Sequence, residues 1–166
     1  MNRLWAPWRV KYVTALDKKD KGCVFCKIIQ EKNDKKNYIF FRSKHSFGVL
    51  NLYPYNNGHA LVLPHRHVSD FDQLNAPEKL DLWETFAETK KRLSIVLKPQ
   101  GFNAGMNLGR VAGAGFPGHI HIHIVPRWHG DSNFMPVIAN TKVISQSLAV
   151  LYESLKNVDT KRYRKK

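Results

Sequence analysis

Three histidines stand two residues apart in His119-Ile120-His121-Ile122-His123-Ile124-Val125. Side chains alternate faces along a strand. This spacing therefore puts His119, His121 and His123 on one face and the isoleucines on the other. The isoleucines anchor the strand in a core, and the imidazoles face solvent, a cleft or a metal. A half-exposed strand normally carries Thr, Lys or Glu on its outer face. A site built of histidines and a metal needs further ligands from elsewhere in the chain. Imidazole can attack phosphorus as a nucleophile or protonate a leaving phosphate. The segment directly before the strand, Asn107 to Gly118, holds four glycines. Glycine lets backbone N–H groups approach an anion closely. A glycine loop running into three same-face histidines points to phosphate chemistry.

A second group with chemical potential is Cys23-Val24-Phe25-Cys26. Two cysteines at this spacing are reduced thiols, a redox pair or half of a metal site. A structural zinc site takes about four ligands. His67 and His65, in Pro64-His65-Arg66-His67-Val68, are both candidates to join them.

The elements that must position these groups follow from the patterning. Ile39–Arg42, Phe47–Leu52, His59–Leu63, Phe102–Leu108 and His119–Val125 read as strands. The turn signal Pro54-Tyr55-Asn56-Asn57-Gly58 predicts a hairpin between the second and third. Asn75-Ala76-Pro77-Glu78 reads as a helix start. Leu80, Trp83, Phe86, Ala87, Leu93 and Leu97 then recur at helical steps, predicting an amphipathic helix to about Lys98. Pro99-Gln100-Gly101 ends it. Cys-x-x-Cys reads as a turn, and Val143–Leu155 as a helix. Strands around one long helix give an α+β domain. The expected organisation is an N-terminal arm (residues 1–21), one domain (22–155) and a basic tail (156–166).

The chain has 166 residues and a net charge of +14. Residues 1–44 hold 12 basic and 4 acidic residues, and residues 156–166 hold 6 and 1. The remaining body is nearly neutral, with 9 and 8. Basic ends without a DNA-binding motif do not make nucleic acid the expected partner. No apolar run approaches the roughly 18 residues of a membrane span. No apolar stretch near the start resembles a signal peptide, so the cytoplasm is the expected compartment. Cysteines there are not expected to pair in a structural disulfide.

His119 to Val125 matches all seven positions of the His-φ-His-φ-His-φ-φ motif, with φ apolar, and the chain resembles the histidine triad family. Leu4-Trp5-Ala6-Pro7-Trp8-Arg9 and Pro126-Arg127-Trp128-His129-Gly130-Asp131-Ser132-Asn133-Phe134-Met135 are similar to the bacterial dinucleoside tetraphosphate phosphorylases, or ATP adenylyltransferases, within it. The resemblance implies a five-stranded antiparallel sheet with one long helix and a C-terminal helix, in a homodimer whose sheet runs across both subunits. It implies that His121 is the nucleophile, forming a nucleotidyl-histidine with the α-phosphorus of an adenine nucleotide. It assigns His123 to the phosphate and His59 to the same histidine cluster. It places Asn51 at the ribose hydroxyls and Asn107 at the phosphate, beside the amides of Gly113, Gly115 and Gly118. Zinc-bearing relatives imply Cys23, Cys26, His67 and His119 as ligands.

Read from residues alone, a turn cap is the alternative for Asn51 and a core histidine the alternative for His59. Trp5, Trp8 and Trp128 fit an interface, the nucleotide site or the core. Relatives carry Gln and Ser or Thr just before the triad. Here Ala114-Gly115-Phe116-Pro117-Gly118 lacks those side-chain donors and is one residue longer. The expected reaction is phosphorolysis of diadenosine tetraphosphate, with inorganic phosphate as acceptor. Its alternatives are hydrolysis of dinucleoside polyphosphates or nucleoside phosphoramidates releasing AMP, and nucleotide binding without turnover.

Overall fold

The computed structural model describes residues 22–139 and 141–161. The arm with Trp5 and Trp8, and the end of the basic tail, lie outside the described residues. Five strands, β1 (Ile39–Arg42), β2 (Ser46–Leu50), β3 (Ala60–Pro64), β4 (Gly101–Met106) and β5 (Ile122–Arg127), form one antiparallel sheet in the order β1-β2-β3-β5-β4. The expected hairpin is β2–β3, with Leu50 opposite Ala60. Among the described residues, four α-helices accompany the sheet: α1 (Val24–Gln30), α2 (Ala76–Leu97), α3 (Met135–Ile138) and α4 (Leu148–Asn157). The α+β class and the five-stranded antiparallel sheet are as expected. Among the described residues no helix is long and apolar enough to cross a membrane.

Helix α2 begins at a capping box: Asn75 accepts from the Glu78 amide at 2.9 Å, and Glu78 accepts from the Asn75 amide at 2.9 Å. Such reciprocal caps satisfy two donors that a helix start leaves open. The buried face of α2 is Glu78, Leu82, Thr85, Thr89 and Leu93. Leu80 and Trp83 are exposed, at 62% and 47%. Of the expected apolar stripe, Leu93 is in the core and Phe86 and Leu97 pack against it, whereas Leu80, Trp83 and Ala87 face outward. Gly48 on β2 explains why a threonine, Thr89, also faces the sheet. A Cβ built there would stand 2.8 Å from Thr89 Oγ1. The helix packs closely on the sheet at Gly48, and the small Thr89 side chain fits there.

One core lies under α2 and α4, where Ala60, Val62, Ile122 and Ile124 meet Leu82, Leu93, Leu151 and Leu155. On the other face, α1 covers β1 to β3 through Phe25 packed with Phe47, Val49, Leu61 and Leu63. That cover leaves the β5–β4 part of this face for the histidines.

Several boundaries differ from expectation. Cys-x-x-Cys is not a turn: Cys23 caps α1, and Cys26 lies in its first turn. Helix α4 starts at Leu148 rather than Val143, because Ser147 caps it by accepting from the Val150 amide. Strand β5 starts at Ile122 rather than His119. The β3–β5 ladder stops after Val62↔Ile122. The Pro64 carbonyl accepts instead from the His119 ring at 2.9 Å, and proline has no N–H to continue a ladder. The Ile120 amide turns to the Val68 carbonyl at 2.7 Å.

Candidate active site and metal cluster

The three triad histidines have different surroundings. His119 is fully buried and His121 nearly so, while His123 is half-buried. His119 Nε2–H donates to the Pro64 carbonyl, which leaves Nδ1 unprotonated. That nitrogen lies 3.4 Å from Cys23 Sγ and 3.7 Å from Cys26 Sγ. Cys26 Sγ is also 3.3 Å from His67 Nδ1. The four ligand atoms of Cys23, Cys26, His67 and His119 all lie within 4.8 Å of one another. The structure thus brings together the expected quartet. His65 points elsewhere, giving Nε2 to the Ser43 carbonyl at 3.2 Å and stacking on Phe47. Two sulfurs and two imidazole nitrogens form a donor set able to hold a metal ion, and a backbone carbonyl orienting one imidazole is the usual outer support of such a ligand.

His121 Nδ1–H donates to the His119 carbonyl at 2.9 Å. The remaining lone pair is therefore on Nε2. Burial pushes the His121 imidazole below its ordinary pKa, which keeps it neutral at pH 7. A neutral ring with its Nε2 lone pair fixed in place is the form a nucleophile needs.

His123 joins His59, which is fully buried on the neighbouring segment, through a 2.9 Å contact from His59 Nε2 to His123 Nδ1. The Tyr55 amide donates to His59 Nδ1 at 3.0 Å. His59 Nδ1 is thus an acceptor, and its ring proton sits on Nε2 and is given to His123. The His123 proton then sits on Nε2. Burial, with the like charges of His123 and His121 adding to it, holds His59 down to about 3. His59 therefore stays neutral, and its bond to His123 is directional. The Asn51 amide nitrogen lies 3.4 Å from both His59 ring nitrogens, over the ring rather than along one lone pair. Its Oδ1 accepts from the Tyr53 amide at 2.9 Å, so Asn51 shapes the turn. Gly58, at φ +76°, would place a Cβ against Leu97, so the turn into His59 needs glycine there.

In the glycine loop, Asn107 Nδ2 donates to the Gly113 carbonyl at 3.2 Å, and the Gly113 amide donates to the Arg110 carbonyl at 2.9 Å. Gly113 is committed within the loop. The Gly115 and Gly118 amides have no acceptor among the described residues. The Gly118 backbone lies beside His67, where a Cβ would touch the ring at 3.5 Å.

Three features escape sequence reasoning. Phe25, between the two cysteines, packs on both His119 and His121, with ring centroids 5.4 and 5.5 Å away. An aromatic inside Cys-x-x-Cys was its available signal. The Tyr55 amide at His59 depends on a turn closing around the ring, and no residue type announces it. Asp131 is a hub. It takes both ends of the Arg127 guanidinium at 2.6 and 3.0 Å, and Asn56 Nδ2 at 2.8 Å. Arg127 Nη1 donates onward to Asn103 on β4 at 2.7 Å.

An α+β fold with a five-stranded antiparallel sheet, and with three alternating histidines running into its strand β5 beside a glycine loop, defines the histidine triad class, and the HIT domain family matches residues 32–130. The chain belongs to the HIT family and is a nucleotide-processing enzyme of it. It is 38% identical over 154 residues to AP-4-A phosphorylase of Mycobacterium tuberculosis, covering 89% of this chain and 79% of that protein. It is 34% identical over 93 residues to the asymmetrical bis(5'-nucleosyl)-tetraphosphatase of Schizosaccharomyces pombe, covering 56% of this chain and 50% of that protein. A Zn-bound histidine triad family protein from Mycobacterium smegmatis shares the fold, with a TM-score of 0.65 at 23% identity over 81% of this chain and 91% of that one.

Proposed function

We propose that this enzyme is a dinucleoside tetraphosphate phosphorylase. The observation that carries the reading is the His121 Nδ1–H bond to the His119 carbonyl, which leaves Nε2 as a buried neutral nucleophile. His121 Nε2 forms a bond to the α-phosphorus of diadenosine tetraphosphate. The bond from that phosphorus to the bridging oxygen breaks, and ATP leaves. The Nε2–H of His123, set by His59 and the Tyr55 amide, gives a proton toward the leaving oxygen. An oxygen of inorganic phosphate then attacks the AMP held on His121, restores the imidazole and releases ADP. Asn51 holds the ribose hydroxyls in this reading. The open amides of Gly115 and Gly118 receive phosphate oxygens where relatives use side chains, with Asn107 and Gly113 shaping the loop.

Cys23, Cys26, His67 and His119 hold zinc in this reading, and the thiol and imidazole donors fit that ion. Zinc there supplies structure, tying α1 to the segment that orients His121. The outer edge of β4 is unpaired among the described residues, with Asn103, Ala104 and Gly105 exposed, and it suits the sheet-to-sheet pairing of a homodimer. The two free cysteines suit the reducing cytoplasm.

The test measures products from diadenosine tetraphosphate with and without inorganic phosphate, for wild type and His121→Ala. Wild type is expected to make ADP and ATP only when phosphate is present. His121→Ala is expected to bind nucleotide but turn over at least about 10⁴-fold more slowly. Phosphate-independent release of AMP would make the enzyme a hydrolase. Near-full activity of His121→Ala would remove the nucleophile assignment.

A further inference from the structure

The histidine array does not end at His123. Along β5 the residues sharing its face are His123, Val125 and Arg127, and buried Ile122, Ile124 and Pro126 take the other. Beyond His123 this face opens into a cleft of about 330 Å³ lined by Tyr55, Asn103, Val125, Arg127, Ser132 and Lys142, among others. The Tyr55 ring bridges the two regions. It lies 5.9 Å from the His123 ring and nearly parallel to it, and it also forms a wall of the cleft.

The cleft is built around cations. Arg127 is paired with Asp131 and fixed to Asn103. Lys142 Nζ donates to the Asp131 backbone carbonyl at 2.6 Å and pairs with no carboxylate among the described residues. One carboxylate thus faces two cations, and the surplus positive charge is Lys142. The same carboxylate accepts from Asn56 and from the Trp128 amide, so its oxygens are already occupied. A ligand entering the cleft meets hydrogen-bond donors: Lys142, the guanidinium and the Ser132 hydroxyl.

Distance selects the ligand. From His121 to Val125 an extended chain covers roughly 13 Å. A single phosphate on His121 cannot bridge that gap, whereas an extended polyphosphate can. We propose that this cleft is a subsite for the distal phosphates of a polyphosphate chain whose first phosphorus sits at His121. This rests on the function proposed above and adds that the enzyme senses chain length through Lys142. The Asp131 hub is a positioning device: it holds Arg127 flat against β4 and fixes the Asp131 carbonyl to which Lys142 is bonded.

Two measurements on the full chain separate the subsite from the reaction. One is KM and kcat for dinucleoside tri-, tetra- and pentaphosphates, and for a nucleoside 5'-phosphoramidate with no polyphosphate. The other is calorimetric binding of inorganic tripolyphosphate, which needs no turnover. Both use wild type, Lys142→Ala and Lys142→Arg. Lys142→Ala is expected to raise KM for the tetra- and pentaphosphates about tenfold, with the phosphoramidate unchanged. It is expected to weaken tripolyphosphate binding by a similar factor, and Lys142→Arg to restore most of both. An equal change for every substrate, or none for any, overturns the subsite and leaves the reaction standing. If wild type turns over no dinucleoside polyphosphate but tripolyphosphate binding still depends on Lys142, the subsite stands and the reaction fails. Tripolyphosphate binding that ignores Lys142 overturns the subsite whatever the turnover.

Discussion

The two ends of the triad carry the same residue type on the same face and are built for opposite purposes. At the His119 end both ring nitrogens are held: Nε2 by the Pro64 carbonyl, Nδ1 by the thiol cluster. At the His123 end the nitrogens form a line, from the Tyr55 amide through His59 to His123. One end fixes geometry and the other directs a proton. His121 lies between them and depends on both. Its Nδ1 is held by the carbonyl of His119, and its ring contacts that of His123 with centroids 4.9 Å apart. What distinguishes histidines here is the partner of the second nitrogen, which decides the tautomer and so the role.

The comparison breaks hardest at the structural end. Cys26→Ser is expected to abolish zinc retention, which elemental analysis of protein purified without chelator reads directly. Wild type should carry about one zinc per chain. The thermal midpoint of the variant should fall by about 10 °C, because α1 and the His119 segment lose their tie. Activity should fall with it. A wild-type protein that holds no zinc under these conditions sinks the metal reading, and the thiols then serve only packing.

The other end should fail differently. His59→Ala is expected to cut kcat about 100-fold, with KM close to wild type. It removes the group that sets the His123 proton, while the His119 cluster and His121, the proposed nucleophile, stay in place. Zinc content should be unchanged, which separates it from Cys26→Ser. A rise in KM with unchanged kcat would move His59 from proton placement to ground-state binding.

These two ends were not equally legible in the sequence. Alternation along His119–Val125 sorts histidines from isoleucines at once, because a strand has only two faces. The Tyr-Asn-Asn-Gly turn similarly announces the β2–β3 hairpin. What stayed hidden depends on approach between distant segments. Asp131 gathers Asn56, 75 residues away in the chain, and Arg127, four residues away. Neither spacing distinguishes a hub from a surface carboxylate. The first helix was missed because Cys23-Val24-Phe25-Cys26 carries no cap of the usual Ser, Thr, Asp or Asn kind, and Cys23 makes no side-chain cap bond.

The second helix shows the same limit and yields the smallest expected effect. Periodicity identifies α2 and puts Leu93, Phe86 and Leu97 against the core as found, but it includes Leu80 and Trp83 in the same stripe. The structure exposes those two and buries Thr85, which donates to Ser43, and Thr89, which lies close against Gly48. Burial, not apolar character, sets the energetic weight of a position. Leu80→Lys, at an exposed site, should therefore change unfolding free energy by no more than about 0.5 kcal/mol in urea titration. Gly48→Leu, which drives a side chain into Thr89 and Phe40, should destabilise by about 1–3 kcal/mol. A large loss from Leu80→Lys in the isolated chain would return that residue to the core. A loss appearing only as a concentration-dependent shift in the midpoint would instead show that Leu80 is covered by a second copy.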